Sequence, residues 1–131
     1  MCNVSNYSSS SVAQHVFASL LSYLHKPLLY NMDVRKGGWS EKPDFAYTWQ
    51  PIRSLTDMTF GIFGFGNIAR HVAKIAKSFG MEIIAVNKHP ERDQVPYVEN
   101  VDMETLLEKS DVLSLHAPLN SSTEGLSLIH I

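Results

Sequence analysis

Apolar positions along this chain follow two kinds of spacing, and the change from one to the other divides it. Ala13, Val16, Phe17, Leu20, Leu21 and Leu24 recur at steps of three and four, which lines them along one helix face. Ser11-Val12-Ala13-Gln14 has the form of a capping box, with a hydroxyl and an amide able to satisfy main-chain N–H groups at a helix start. Pro27 limits continuation, so the spacing predicts a helix over 11–25. From 28 to 57 no period is sustained: Gly37-Gly38-Trp39, Pro43, Pro51 and the aromatic residues Phe45, Tyr47 and Trp49 mark an irregular arm. An arm of about thirty residues is long for a compact domain. It should cover something or be covered by another chain, and exposed aromatics would argue the same way.

At Thr59 the character changes. Phe60-Gly61-Ile62-Phe63 is a continuous apolar run, which suits a strand buried on both faces of a parallel sheet. Ile68, Val72, Ile75, Ala76 and Phe79 resume helical spacing, with Arg70, Lys74 and Lys77 turned outward and Gly80 placed for a C-terminal cap. Ile83-Ile84-Ala85-Val86 predicts a second buried strand, Tyr97-Val98 a short third, Met103 to Lys109 a short helix, and Val112-Leu113-Ser114-Leu115 a further strand. This alternation predicts an α/β fold with a parallel sheet. There is no internal repeat, and no low-complexity tract beyond Ser8 to Ser11.

Composition narrows the function classes. With 131 residues, 44% apolar and 18% charged, the chain can form one core but not two. Eleven basic against thirteen acidic side chains give a net charge of -2, which offers no electrostatic case for nucleic acid or an anionic membrane as partner. Cys2 is the only cysteine, so an internal disulfide and a four-cysteine metal site are excluded, and a reducing, cytoplasmic setting fits. No apolar run reaches the roughly 18 residues of a membrane helix, and the amino end lacks the pattern of a signal peptide.

The candidate chemistry lies between the first strand and its helix. Gly64-Phe65-Gly66-Asn67-Ile68-Ala69 matches G-x-G-x-x-G/A with alanine in the third place. Gly64 permits a tight turn, Gly66 lets a pyrophosphate approach the backbone, and Ala69 lets the helix lie close to the sheet. Phosphates would then meet the N–H groups of Asn67 and Ile68, where the helix dipole favours negative charge. Alone, the hexapeptide also describes an ordinary strand-to-helix turn. Its setting, after a buried strand, before an amphipathic helix and about twenty residues ahead of the end of a second strand, favours a dinucleotide-binding Rossmann domain. At the end of that second strand, where a carboxylate usually accepts from the adenosine ribose and repels a 2′-phosphate, stands Asn87. It can bond a ribose hydroxyl without repelling phosphate. Lys88 or Arg92 could pair with a phosphate, or be solvated charges, so the cofactor is NAD or NADP.

Beyond this turn, Asn3-Val4, Tyr7-Ser8, Ser11 through Ala18, Gly38-Trp39, Phe79-Gly80-Met81, Ser110-Asp111-Val112 and His116-Ala117-Pro118-Leu119 through Thr123-Glu124-Gly125-Leu126 stand in order along nearly the whole chain. In this order and spacing the sequence resembles the nucleotide-binding domain of the D-2-hydroxyacid dehydrogenases. Trp39 with Pro43-Asp44-Phe45, Tyr47 and Trp49 is similar to the glycerate dehydrogenase (hydroxypyruvate reductase) branch.

The resemblance implies a pyrophosphate on the backbone at Asn67 and Ile68, the adenosine ribose on Asn87, and Ala117 with Pro118 lining the cofactor after the fourth strand. It also implies that the helix and arm belong to a dimerisation region, making the parent a homodimer, although packing within its own domain is an alternative for Phe45, Tyr47 and Trp49. The family's catalytic Arg, Glu and His would all lie past the matching segment, so no catalytic residue is expected here. His116 matches the His of the family's H-x-P segment, and His15, His25, His71 and His89 show no partner carboxylate at suggestive spacing. The expected divisions are 1–57, leading helix and irregular arm; 58–126, first half of a Rossmann domain; and 127–131, a non-native tail, because Ser127-Leu128-Ile129-His130-Ile131 fits no family continuation. The resemblance implies a substrate lobe that would precede Met1 in position.

The parent is therefore expected to transfer hydride between a nicotinamide and a small 2-hydroxy or 2-keto acid, with D-glycerate and hydroxypyruvate favoured. Rivals are phosphoglycerate dehydrogenase, which would need added cationic contacts to the substrate phosphate, and a corepressor-like nucleotide-sensing module. A structural dimerisation fragment that binds no cofactor is a third.

Overall fold

A computed structural model describes residues 7–46, 48, 51–91 and 94–127. Cys2, Asn3, Val4, Tyr47, Trp49, Arg92 and residues 128–131 of the expected tail lie outside them. The elements are helix α1 (Ser9–His25), helix α2 (Pro27–Arg35), a 3-10 turn (Leu55–Asp57), strand β1 (Thr59–Phe63), helix α3 (Asn67–Ser78), strand β2 (Glu82–Val86), strand β3 (Glu99–Asn100), helix α4 (Met103–Lys109) and strand β4 (Val112–Leu115). The four strands form one parallel sheet in the order β3-β2-β1-β4. The expected α/β class is thus present.

Side-chain alternation puts helices on both sheet faces. Phe60 stacks on Phe17 of α1 at 5.5 Å. The next residue, Gly61, points the other way, and a Cβ there would overlap the Ser110 hydroxyl and lie 3.2 Å from Leu106 of α4. Phe17 also stacks on Phe79 at 5.4 Å, so α1 is tied to both β1 and the end of α3. Ala13, Phe60, Ile62, Ala69, Val72, Ala73, Ala76 and Ala85 are fully buried in the core this creates. The run of alanines along α3 allows a close approach to its neighbours. At the opposite end of the sheet, the N–H of Thr59 donates to the Asp111 carboxylate at 2.9 Å, and the N–H of Asp111 donates to the Thr59 carbonyl at 3.0 Å. This reciprocal pair fixes the start of the β1–β4 register.

Helix α3 ends as the sequence predicts. Gly80 has φ +77°, its N–H donates to the Lys77 carbonyl at 3.0 Å and that of Met81 to the Ala76 carbonyl at 3.2 Å, a Schellman closure that requires the left-handed conformation glycine favours. Helix α4 starts at Asp102, whose carboxylate accepts from the Thr105 N–H at 2.8 Å. That bond holds the Asp102 carboxyl below its ordinary range.

Four expectations need correction. Helix α1 begins at Ser9, not 11, and Ser11–Gln14 forms no capping box: no side chain caps the helix, and the Gln14 amide donates instead to the Ser10 hydroxyl at 3.4 Å. The arm is not irregular throughout, because Pro27 opens α2 rather than only ending α1. Proline fits the first helical turn, where its missing N–H has no partner to lose, and Lys26, at φ 47° and ψ 48°, makes the break between the two helices. The third strand is Glu99–Asn100, not Tyr97-Val98, since the Val98 N–H closes a turn onto the Val95 carbonyl at 2.9 Å. Packing of the arm's aromatics on their own domain fails for Phe45, which is 91% exposed.

Candidate nucleotide-binding site

Three strands deliver the candidate residues to one end of the sheet. The N–H of Gly64, just past β1, donates to the Val86 carbonyl of β2 at 3.0 Å, and the N–H of His116, just past β4, donates to the Phe63 carbonyl at 2.8 Å. Parallel strands place their carboxyl ends side by side, and the sheet order puts the change of winding direction between β1 and β4. That is where ligands bind in open α/β sheets.

The glycine turn has two distinct steric demands. Gly64 has φ +85°, and a Cβ there would lie 3.0 Å from the Ala117 nitrogen and 3.1 Å from its Cα. The first glycine therefore permits both the turn and the seating of the β4 exit against it. Gly66, the N-cap of α3, has φ -91° and nothing within 4 Å of its Cβ position. Its missing side chain leaves open space at the helix start and relieves no crowding within the protein. Asn67 and Ile68 are the first two residues of α3, the first turn carries no acidic residue, and Ala69 is fully buried. An anion approaching Gly66 thus meets main-chain amides and a favourable helix dipole.

Asn87 lies just past β2. Its Oδ1 accepts from the His89 N–H at 3.1 Å, while its Nδ2 is buried with no hydrogen-bond partner. Buried donors are almost always paired in native proteins, so an orphan at this position marks where an acceptor belongs. With the open space at Gly66, it shows that the residues present fit an adenine dinucleotide. One concavity, of about 420 Å³, is lined by Tyr23, Leu24, Lys26, Pro51 and Arg53. A smaller one of about 230 Å³ is lined by Ala117, Leu119 and Thr123 among others. The glycine turn is an open shelf.

The structure brings Gly64, Gly66, Asn67, Ile68, Asn87 and Ala117 to this end of the sheet. Ala117 makes the contact with Gly64, and Pro118 is exposed beyond it. Sequence reasoning missed three supports. Ser114 Oγ lies 2.9 Å from His116 Nε2, the Thr123 hydroxyl donates to the Pro118 carbonyl at 2.7 Å, and the Arg70 guanidinium sits over the Phe65 ring at 5.6 Å from its centroid. The strand-end period of two could have flagged Ser114 beside His116; the other two arise from turns whose geometry no pattern announces. One histidine expectation is corrected: His89 Nδ1 lies 3.8 Å from a Glu91 carboxylate oxygen, both side chains being largely exposed. Among the described residues no group of three or more His, Cys, Asp or Glu could hold a metal ion, and no helix is long and apolar enough to cross a membrane.

Burial holds the half-buried His116 imidazole below its ordinary value of 6.5. The unfolded chain therefore binds this proton more readily than the folded one, so stability is retained above about pH 6.5 and declines as pH falls through that value. Urea midpoints measured from pH 7.5 down to 5.5 should decline less steeply for His116→Gln than for the parent. Identical pH slopes would refute the assignment.

Comparison with known proteins agrees with this geometry. A profile described as "D-isomer specific 2-hydroxyacid dehydrogenase, NAD binding domain" matches residues 17–127. The chain belongs to the D-isomer specific 2-hydroxyacid dehydrogenase family. It is 32% identical to a glycerate dehydrogenase of Methylorubrum extorquens over 95% of its own length, and 35% identical to a hydroxypyruvate reductase of Blautia hydrogenotrophica over 96%. It spans only 38% and 39% of those two relatives. Among solved structures, an acyclic imino acid reductase in complex with NADPH and D-Arg superposes with a TM-score of 0.72 at 36% identity, covering 89% of this chain and 36% of that one. The dehydrogenase family thus accounts for the sheet order and the turn together.

Proposed function

We propose that this chain is the NAD(P)-binding part of an oxidoreductase that transfers hydride between a nicotinamide cofactor and a small 2-hydroxy or 2-keto acid, with glycerate and hydroxypyruvate the favoured pair. The supporting observation is the open, amide-lined turn at Gly66, set at the carboxyl ends of β1, β2 and β4. The names of the two curated relatives favour this substrate pair. In the bound state Gly64 holds the turn against Ala117, Gly66 admits the pyrophosphate, Asn67 and Ile68 present N–H groups to it, Asn87 takes the adenosine ribose, and Ala117 with Pro118 flanks the nicotinamide side. The cofactor supplies the hydride; the chain binds and orients it.

The acid/base His, its carboxylate and the substrate-binding Arg belong, on this proposal, to sequence past the matched segment, and the substrate lobe is likewise outside this chain. The setting is cytoplasmic. Leu28, Leu29 and Met32, exposed on one side of α2, offer the apolar surface through which the parent pairs as a homodimer.

Calorimetric titration of NADH and NADPH into the chain tests binding. Mixing chain, NADH and hydroxypyruvate while following nicotinamide absorbance tests turnover. The expected result is saturable binding of at least one dinucleotide without turnover. Absence of binding by a folded chain would remove the nucleotide assignment, and measurable reduction of hydroxypyruvate would remove the placement of the catalytic groups.

A further inference from the structure

We propose that the ribose end of this site selects the 2′-phosphorylated cofactor, so that the preferred ligand is NADP(H) rather than NAD(H). The proposal rests on the nucleotide-binding assignment above and starts from how Asn87 is held. Its side-chain oxygen is engaged by the main chain, accepting from the His89 N–H at 3.1 Å, and this bond fixes which way the amide faces. What remains is Nδ2, a donor, buried and without a partner.

The chemistry of the two candidate ligands differs at this point. Selecting an unmodified ribose uses a carboxylate, which accepts from the 2′-hydroxyl and repels a phosphate there. Asn87 carries no charge to repel a phosphate, and its side-chain oxygen already accepts one hydrogen bond from the backbone. A 2′-phosphate presents only acceptors and needs donors and positive charge, and the surroundings supply both. Lys88, the next residue, is exposed at the same strand end, and the exposed His89 imidazole follows it.

Among the described residues, two carboxylates near this strand end already have partners. Glu91 lies 3.8 Å from His89 Nδ1, and Asp102, which follows the strand paired with β2, accepts from the Thr105 N–H at 2.8 Å. A buried donor without an acceptor, an adjacent cation and no carboxylate at the selecting position together suit a phosphate monoester on an adenosine ribose.

Small probes separate this proposal from the assignment beneath it. Adenosine 5′-monophosphate and adenosine 2′,5′-bisphosphate differ only at the 2′ position, and both can be titrated calorimetrically into the chain alongside NADH and NADPH. The 2′-phosphorylated member of each pair should bind at least about tenfold more tightly, an advantage that shrinks as salt is added. Asn87→Asp should abolish or reverse it, since the new carboxylate would face the phosphate. Lys88→Ala, a change at an exposed position, should reduce it several-fold with circular dichroism unchanged, and keeps the proposal testable if Asn87→Asp fails to fold. Equal affinities, or tighter binding of the members lacking the 2′-phosphate, would overturn the NADP(H) preference and leave nucleotide binding standing. No binding of any of the four ligands to the folded chain would overturn both.

Discussion

Gly64→Ala is expected to lower the unfolding free energy by about 2–4 kcal/mol, whereas Gly66→Ala, two residues along the same turn, should change it by no more than about 0.5 kcal/mol. The two glycines answer to different partners. At Gly64 the backbone is left-handed at φ +85°, and a Cβ would press on the main chain of Ala117 at 3.0–3.1 Å. Backbone atoms cannot rotate aside as a side-chain tip can, so either the turn or the β4 exit must shift. At Gly66 the backbone is extended, with nothing within 4 Å, so the folded protein accepts a methyl group there without strain. The cost of that methyl falls on the ligand, because it fills the space through which a pyrophosphate reaches the first turn of α3. Urea unfolding followed by circular dichroism, paired with NADPH calorimetry, should show Gly64→Ala deficient in stability and Gly66→Ala stable but with affinity reduced by tenfold or more. If the two variants lost stability equally, the division of labour drawn here would be wrong.

Phe17→Ala should cost about 3–5 kcal/mol, the usual range for deleting a buried aromatic side chain. Phe17 is 4% exposed and lies between two rings, Phe60 of β1 at 5.5 Å and Phe79 at the end of α3 at 5.4 Å, with interplanar angles of 22° and 20°. Its loss removes two ring contacts and leaves a hole between α1 and the sheet. Because domains of this size hold about 5–15 kcal/mol in total, the variant should sit near the edge of folding. Phe17→Leu should recover part of the deficit by refilling the volume. Hydrogen exchange would locate the damage: amides of α1 should lose protection first and those of β1 and β2 last. A uniform loss across the chain, or a cost below about 1 kcal/mol, would argue that α1 is not anchored by this stack.

Much of the framework was legible because the central elements bury their apolar residues. Strand β4 and helix α4 begin and end where the sequence pattern predicts, β1 and β2 each start one residue earlier than their apolar runs, and α3 runs Asn67–Ser78, against a stripe from Ile68 to Phe79. The errors fall where pattern and burial part company. Helix α2 carries Leu28, Leu29, Met32 and Val34, all exposed, so no inward stripe announces it. Strand β3 contributes Glu99 and Asn100, two exposed polar residues that join the sheet through main-chain bonds alone, while the apolar Tyr97 and Val98 beside them fold into a turn. At the candidate site, the small-residue spacing located Gly64, Gly66 and the start of α3. It did not reveal that Gly64 is pressed by Ala117, or that the Asn87 oxygen is engaged by the His89 N–H, since both depend on segments remote in sequence or on a local turn.

The sheet order has a consequence for assembly. Strands β1 and β2 and the helix between them are neighbours in sequence and can associate as soon as they are synthesised. The wall that Ala117 makes against Gly64 arrives only when β4 closes onto β1, a contact the Thr59–Asp111 pair makes across 52 residues. Closing so long a loop is entropically slower than pairing neighbours. Competence to hold a nucleotide should therefore be the last property this polypeptide acquires on refolding, well after most of its helix content has returned.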